Sequence, residues 1–278
     1  MTRTIVVTGA ASGIGKATAE RLSADGDRVM GIDLTGSDID ADLSTPDGRT
    51  AAVEQIRQTA DGQIDAVVAC AGIAAPIAKT VSVNYFGVVE LVEALQPSLA
   101  ASEAPRVAIT SSFSSLQPAS EDLVQAMIDG DEERAVAIGR EYEEKGPEAG
   151  FVNYSSSKQA VSRWIRAVGP TSEWAGAGIA LNAVGPGVVV TPMTADLIRD
   201  AREMLDAQLP MPLNGHASPE AIAAVLAFLV SEENTHMTGQ TIYVDGGAES
   251  LLRGPDIITP MPPVGGDAPP EPVSDPTA

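Results

Sequence analysis

Two rhythms alternate along this chain. Short apolar runs rich in Val, Ile and Ala are separated by longer stretches in which apolar residues return every three or four positions. The first rhythm belongs to strands buried on both faces, the second to helices with one apolar stripe. Strands are predicted over residues 4–8, 28–32, 39–41, 64–69, 106–110, 179–184 and 241–244. Helices are predicted over 16–25, 46–59, 81–95, 154–175 and 219–230, the second opened by Pro46 behind a cap at Ser44 or Thr45. Strands that alternate with helices in this way predict an α/β fold, a single doubly wound domain over residues 1–252 around a seven-stranded parallel sheet.

Three stretches break the rhythm. Residues 113–152 carry two amphipathic helices, 121–128 and 131–144, and the sheet resumes afterwards, so they read as an insertion in the domain. Residues 191–216, with their Pro, Met and Leu, read as a short helix and loops lying over a pocket as a lid. From 253 to 278 the chain turns to Pro, Gly, Asp and Glu without periodicity, which predicts an irregular, acidic tail.

Charge narrows the partners. The 278 residues include 38 Asp and Glu against 17 Lys and Arg, a formal net charge of −21. A surface so acidic repels nucleic acid and anionic membranes, and disfavours acyl-carrier proteins and coenzyme-A thioesters as substrates. Cys70 is the single cysteine, which excludes an intramolecular disulfide and a cysteine metal cluster. His216 and His236 stand too far apart in the chain to suggest a metal site. No secretory leader and no membrane-spanning apolar run is recognisable, so a cytoplasmic protein is expected.

Candidate chemistry sits at the strand ends. After the first strand, Gly9-Ala10-Ala11-Ser12-Gly13-Ile14-Gly15 turns the chain into a helix. Such a loop lets backbone N–H groups and the helix dipole approach a pyrophosphate. The second strand ends at Asp33, 18 residues beyond Gly15, near the spacing at which an acid accepts hydrogen bonds from an adenosine ribose. A carboxylate there repels a 2′-phosphate, and no cation stands at Ser12, Leu34 or Thr35 to attract one; NAD is favoured over NADP. Farther on, Tyr154 and Lys158 are spaced to share one face of a helix. An ammonium about 4 Å from a phenol is worth roughly 4 kcal/mol at an effective dielectric near 20, enough to lower the phenol by about three pH units. That pair can exchange a proton with an alcohol or a carbonyl.

Taken in order, Thr8-Gly9-x-x-x-Gly13-Ile14-Gly15, Asp33, Asp42-Leu43, Ala71-Gly72, Asn84, Ser111, Tyr154-x-x-x-Lys158 and Pro186-Gly187-x-x-x-Thr191 resemble the short-chain dehydrogenase/reductase family over residues 3–252. Within it the chain is most similar to bacterial hydroxysteroid dehydrogenases/carbonyl reductases, on Cys70-Ala71-Gly72, Val81-Ser82-Val83-Asn84-Tyr85-Phe86-Gly87 and the long insertion. Coniferyl alcohol dehydrogenases share much of the pattern. The resemblance implies a Rossmann-type fold and hydride exchange between NAD and a lipophilic secondary alcohol or ketone, with an aryl or allylic alcohol as the alternative. In this family's scheme Tyr154 is the acid/base and Lys158 lowers its pKa while holding the nicotinamide ribose. Ser111 orients the substrate oxygen, with Ser112 as the fallback, and Asn84 holds a relay water. The same resemblance places Val189 and Thr191 at the carboxamide and Asp42 and Leu43 at the adenine. Gly9, Ser12, Gly13, Ile14, Gly15, Leu34, Ala71 and Gly72 complete the cofactor site. Most members carry Asn-Ala-Gly where this chain has Cys70-Ala71-Gly72, and Cys70 is taken as strand-end packing. A homodimer or homotetramer is implied, the insertion covering one surface through which relatives pair. A Rossmann protein that binds NAD without turnover is the reading of another class, disfavoured because both the tyrosine and the lysine are kept.

Overall fold

A computed structural model describes residues 2–60 and 63–258. Seven parallel strands form one sheet: β1 Thr4–Thr8, β2 Arg28–Asp33, β3 Ile39–Asp40, β4 Ala66–Ala69, β5 Arg106–Thr110, β6 Ala180–Pro186 and β7 Thr241–Val244. Their spatial order is β3-β2-β1-β4-β5-β6-β7. The order reverses between β1 and β4, so a crevice opens at their carboxyl ends. Register sets what lines it: Thr8 pairs with Ile32 on one side and Ala69 on the other, which brings Gly9, Asp33 and Cys70 to the same edge.

Alternation along each strand feeds two cores. Val6 points into the core shared with α2 (Pro46–Thr59), α4 (Gly87–Leu99) and α8 (Val152–Val168). Ile5 and Val7 point into the other, closed by α1 (Gly13–Ala24) and α10 (Pro219–Val230). Both faces are covered, which is why the strands read as continuous apolar runs.

Several boundaries differ from expectation for identifiable reasons. The predicted helix 154–175 spans only Val152–Val168. Gly169-Pro170 follows, and proline offers no N–H to continue the ladder. Trp174 therefore lies beyond the helix and folds back onto Trp164, ring centroids 5.8 Å apart in a T-shaped pair. The predicted helix 81–95 is three segments: α3 Lys79–Val81, a π-helical stretch Ser82–Phe86, and α4, which runs past Pro97 to Leu99. Strand β4 starts at Ala66, later than the apolar run suggested.

The insertion forms α5 (Glu121–Ile128), α6 (Glu132–Glu144) and α7 (Pro147–Gly150). It is fastened to α8 by Arg163, whose two terminal nitrogens donate to Glu121 at 2.6 and 2.9 Å, and by Ser120, whose N–H donates to Ser156 at 3.0 Å. The lid holds a longer helix than expected, α9 (Ala195–Gln208), kinked where Ala201 leaves helical geometry. After β7 a short helix, α11 (Ala248–Arg253), and a 3₁₀ turn (Pro255–Ile257) carry the first residues of the predicted tail. The irregularity expected of 259–278 lies outside the described residues.

Candidate active site

A groove of about 400 Å³ lies over the carboxyl ends of the central strands, and every residue expected to hold a cofactor lines it. At one end is the glycine turn. Gly13 has φ +54°, where a side chain is disfavoured. A Cβ on Gly15 would fall 2.1 Å from the Gly9 carbonyl oxygen, so the helix can start this close to the strand only with glycine there. Ser12 caps α1 without a side-chain hydrogen bond, and no acid occupies the first turn. The N–H groups of that turn are thus left to an anion, and this cradle fits a pyrophosphate.

Beside the cradle, Asp33 accepts from the Ala11 N–H at 3.0 Å and the Leu34 N–H at 2.7 Å, which fixes the carboxylate at the groove edge. Asp42 accepts from the Ser44 N–H and hydroxyl at 2.9 and 2.6 Å, and Lys79 stands 3.5 Å from its other oxygen. The Ser44 bonds, with Lys79 adding, hold the Asp42 carboxyl below its ordinary value. Thr8 braces the opposite wall, its hydroxyl accepting from the Cys70 and Ala71 N–H groups at 3.1 and 3.0 Å. Cys70 packs as expected of a strand end: its sulfur accepts from Thr110 at 3.1 Å, and burial pushes the thiol up to about 11.

At the other end of the groove α8 presents Tyr154 and Lys158. The Lys158 ammonium donates to the Thr110 carbonyl at 2.8 Å and lies 5.8 Å from the centre of the Tyr154 ring. Burial lowers this ammonium from 10.5 to about 8. The expectation of a phenol acidified by its neighbour needs correction. Burial raises the Tyr154 phenol, with a hydrogen bond from Ser112 pulling the other way. Low dielectric penalises the phenolate more than the groups around it favour it.

The serine expected beside the phenol also changes. Ser111 lines the groove too, but it is 2% exposed and its hydroxyl is taken up by Ser162 at 2.9 Å and the Lys158 carbonyl at 3.3 Å. Ser112, the next residue of an extended segment, has its hydroxyl on the groove side, bonded to Tyr154. Adjacent side chains on extended backbone point to opposite sides, so only one of the pair can face the tyrosine.

Asn84 sits within the π-helical stretch and is fully buried. Its amide exchanges two hydrogen bonds with the Ile73 backbone, both 2.9 Å, and donates to Ser157 at 3.2 Å. It fixes the loop carrying Gly72, where a Cβ would come 3.1 Å from Asn84 Oδ1 and 3.7 Å from Lys158 Nζ. Thr191 is held from below by Thr194, which accepts from its N–H at 3.1 Å and donates to the Val189 carbonyl. Sequence reasoning passed over Lys79, Ile73 and Val83, which line the groove through folding of the 73–83 segment. Among the described residues no cluster of His, Cys, Asp and Glu is placed to hold a metal, and no helix is long and apolar enough to cross a membrane.

Comparison with known proteins adds a lineage to this geometry. The family model described as short chain dehydrogenase matches residues 3–126, and one described as Enoyl-(Acyl carrier protein) reductase matches residues 125–249. A 3-alpha-hydroxysteroid dehydrogenase/carbonyl reductase of Comamonas testosteroni is 34% identical, over 90% of this chain and 97% of its own. The chain belongs to the short-chain dehydrogenase/reductase family. It is an oxidoreductase of that family. The crystal structure of a 3-alpha-hydroxysteroid dehydrogenase from Pseudomonas sp. B-0831, complexed with NADH, superposes with a TM-score of 0.82 at 37% identity, over 90% of this chain and 98% of that one. More distant members include a 3-oxoacyl-[acyl-carrier-protein] reductase of Thermotoga maritima, 28% identical over 87% of this chain and 96% of its own.

Proposed function

We propose that this short-chain dehydrogenase/reductase interconverts a lipophilic secondary alcohol and its ketone with NAD(H), as a hydroxysteroid dehydrogenase/carbonyl reductase. The observation that carries the reading is the convergence of the Tyr154 phenol, the Ser112 hydroxyl and the buried Lys158 ammonium at one end of a dinucleotide-shaped groove. When bound, NAD supplies the hydride acceptor or, reduced, the hydride donor.

The chain's own groups do the rest. The glycine turn and the start of α1 hold the pyrophosphate, Asp33 accepts from the adenosine ribose and excludes a 2′-phosphate, and Asp42 with Leu43 borders the adenine. Val189 and Thr191 hold the carboxamide, and Lys158 the nearer ribose. Ser112 takes the role first expected of Ser111, donating to the substrate oxygen. Because burial raises the Tyr154 phenol above its already high ordinary value, it holds its proton at neutral pH and is poised to give that proton to a ketone oxygen, and must shed it to accept one from an alcohol. Asn84 has spent its amide on Ile73 and Ser157, so its side chain braces the 72–73 loop beside Lys158 in place of the relay water first expected of it.

Pro192 and Met193 add apolar surface to the groove from the lid side, and Met193 is 53% exposed, adaptable to a bulky ring system. The net charge of −21 disfavours an acidic carrier protein as the substrate's bearer, which separates this chain from its 3-oxoacyl relatives. The insertion covers part of α8, which directs pairing to the α10–β7 side, where Phe228 is 42% exposed.

The test is a panel of steroid, aryl and terpenoid alcohols with NAD, read as NADH absorbance. Steroid turnover that falls by about three orders of magnitude or more in Tyr154→Phe, with NADH affinity retained, is expected. Near-wild-type turnover in that variant would sink the mechanism, and turnover confined to aryl alcohols would sink the substrate class.

A further inference from the structure

The insertion reaches the adenine end of the groove from two directions. Arg49 on α2 is 3% exposed. Its Nη2 donates to Glu132, the first residue of α6, at 2.5 Å, and its Nη1 donates to the Leu43 carbonyl at 3.2 Å. Glu90 Oε2 lies 2.6 Å from Nε as an ion pair, off the N–H direction. At the far end of α6, Glu143 accepts from the Ala78 N–H at 2.8 Å. Ala78 precedes Lys79, whose ammonium faces Asp42 at 3.5 Å. Midway, Gly139 lets the helix lie close: a Cβ there would stand 3.4 Å from Ala78 and 3.0 Å from Asn153 Oδ1. One helix therefore holds Leu43 through Arg49 and Asp42 through Lys79.

We propose that Glu132 and Arg49 are positioning residues for the adenine half of the cofactor, with α6 acting as a clamp on the Asp42–Leu43 turn. The inference rests on the NAD reading of the groove. A guanidinium fork is planar and rigid, so two carboxylates on different elements fix both its place and the direction of its remaining donor. That donor meets the Leu43 carbonyl. Without Glu132, the guanidinium keeps Glu90 as its counter-ion and swings toward it, and Leu43 loses its anchor. The fold survives because no buried charge is left unpaired.

Glu132→Ala is the decisive variant, measured by fluorescence titration of NADH and by competition with ADP-ribose and with nicotinamide mononucleotide. NADH and ADP-ribose should each bind about tenfold more weakly, the loss of one charge-assisted hydrogen bond, while nicotinamide mononucleotide competes as before. kcat at saturating NAD should hold. Glu132→Gln, which keeps an acceptor for Arg49, should restore most of the affinity. Glu141→Gln removes the same charge from an exposed position of α6 and should change nothing; an equal loss there would reduce the effect to bulk charge and overturn the clamp. Unchanged ADP-ribose affinity in a natively folded Glu132→Ala, or equal weakening of both cofactor halves, would also overturn it. A wild-type chain that failed to bind NADH would overturn the cofactor reading beneath it instead.

Discussion

Replacing Lys158 by methionine should abolish turnover and at the same time stabilise the ligand-free chain. The ammonium is 5% exposed, and burial lowers it from 10.5 to about 8. The unfolded chain therefore holds this proton more tightly than the folded one. Between pH 8 and 10.5 the unfolded state binds more protons, so the group's contribution to stability rises with pH across that window. Below pH 8 the penalty is complete. At ~1.36 kcal/mol per pH unit, keeping the buried amine charged costs the fold roughly 3 kcal/mol. Methionine fills a similar volume without a charge but gives up the bond to the Thr110 carbonyl, a loss of about 1 kcal/mol. The net gain should be about 2 kcal/mol at pH 7. Urea unfolding of both proteins, without cofactor, at pH 7, 8.5 and 10 measures it. The advantage should shrink steadily with pH and reverse near pH 10. A stability difference that stayed constant across the three values would refute the reasoning, since only a titrating group produces the slope. The trade has a functional logic: the same burial that strains the lysine keeps its charge unscreened beside the phenol.

Four further outcomes follow from the same geometry. Ser112→Ala should lower kcat about a hundredfold. Ser111→Ala should keep most activity and lose about 1 kcal/mol of stability with its buried bond to Ser162, as steady-state kinetics and unfolding curves on the pair will show. Asp33→Asn keeps an acceptor for a backbone N–H but removes the charge, so the preference for NAD over NADP, read as the ratio of kcat/KM values, should fall about tenfold. Light scattering should give the mass of a dimer, because α5 occupies part of the α8 face; a compact tetramer would contradict that.

What was legible in the sequence was local or periodic. Helices 46–59 and 219–230 matched to the residue because Pro46 and Pro219 start them and the apolar stripe runs unbroken behind. The glycine cradle, Asp33 and the Tyr154–Lys158 spacing are also local signals, since each depends on residues a few positions apart or on a strand end. Tertiary structure decided the rest. Which of two adjacent serines faces the phenol depends on how the end of β5 lies against α8, where Ser162 takes the other hydroxyl. The π-helical stretch exists around Asn84, whose side chain is bonded to Ile73 across a loop, and nothing within residues 81–95 announces it. The upward direction of the Tyr154 shift turned on burial, which a spacing of four cannot express. Arg49 and Glu132 meet across 83 positions of chain. Periodicity and capping act within a few bonds and can be read along a line; desolvation and side-chain direction are set by whatever the rest of the molecule packs alongside.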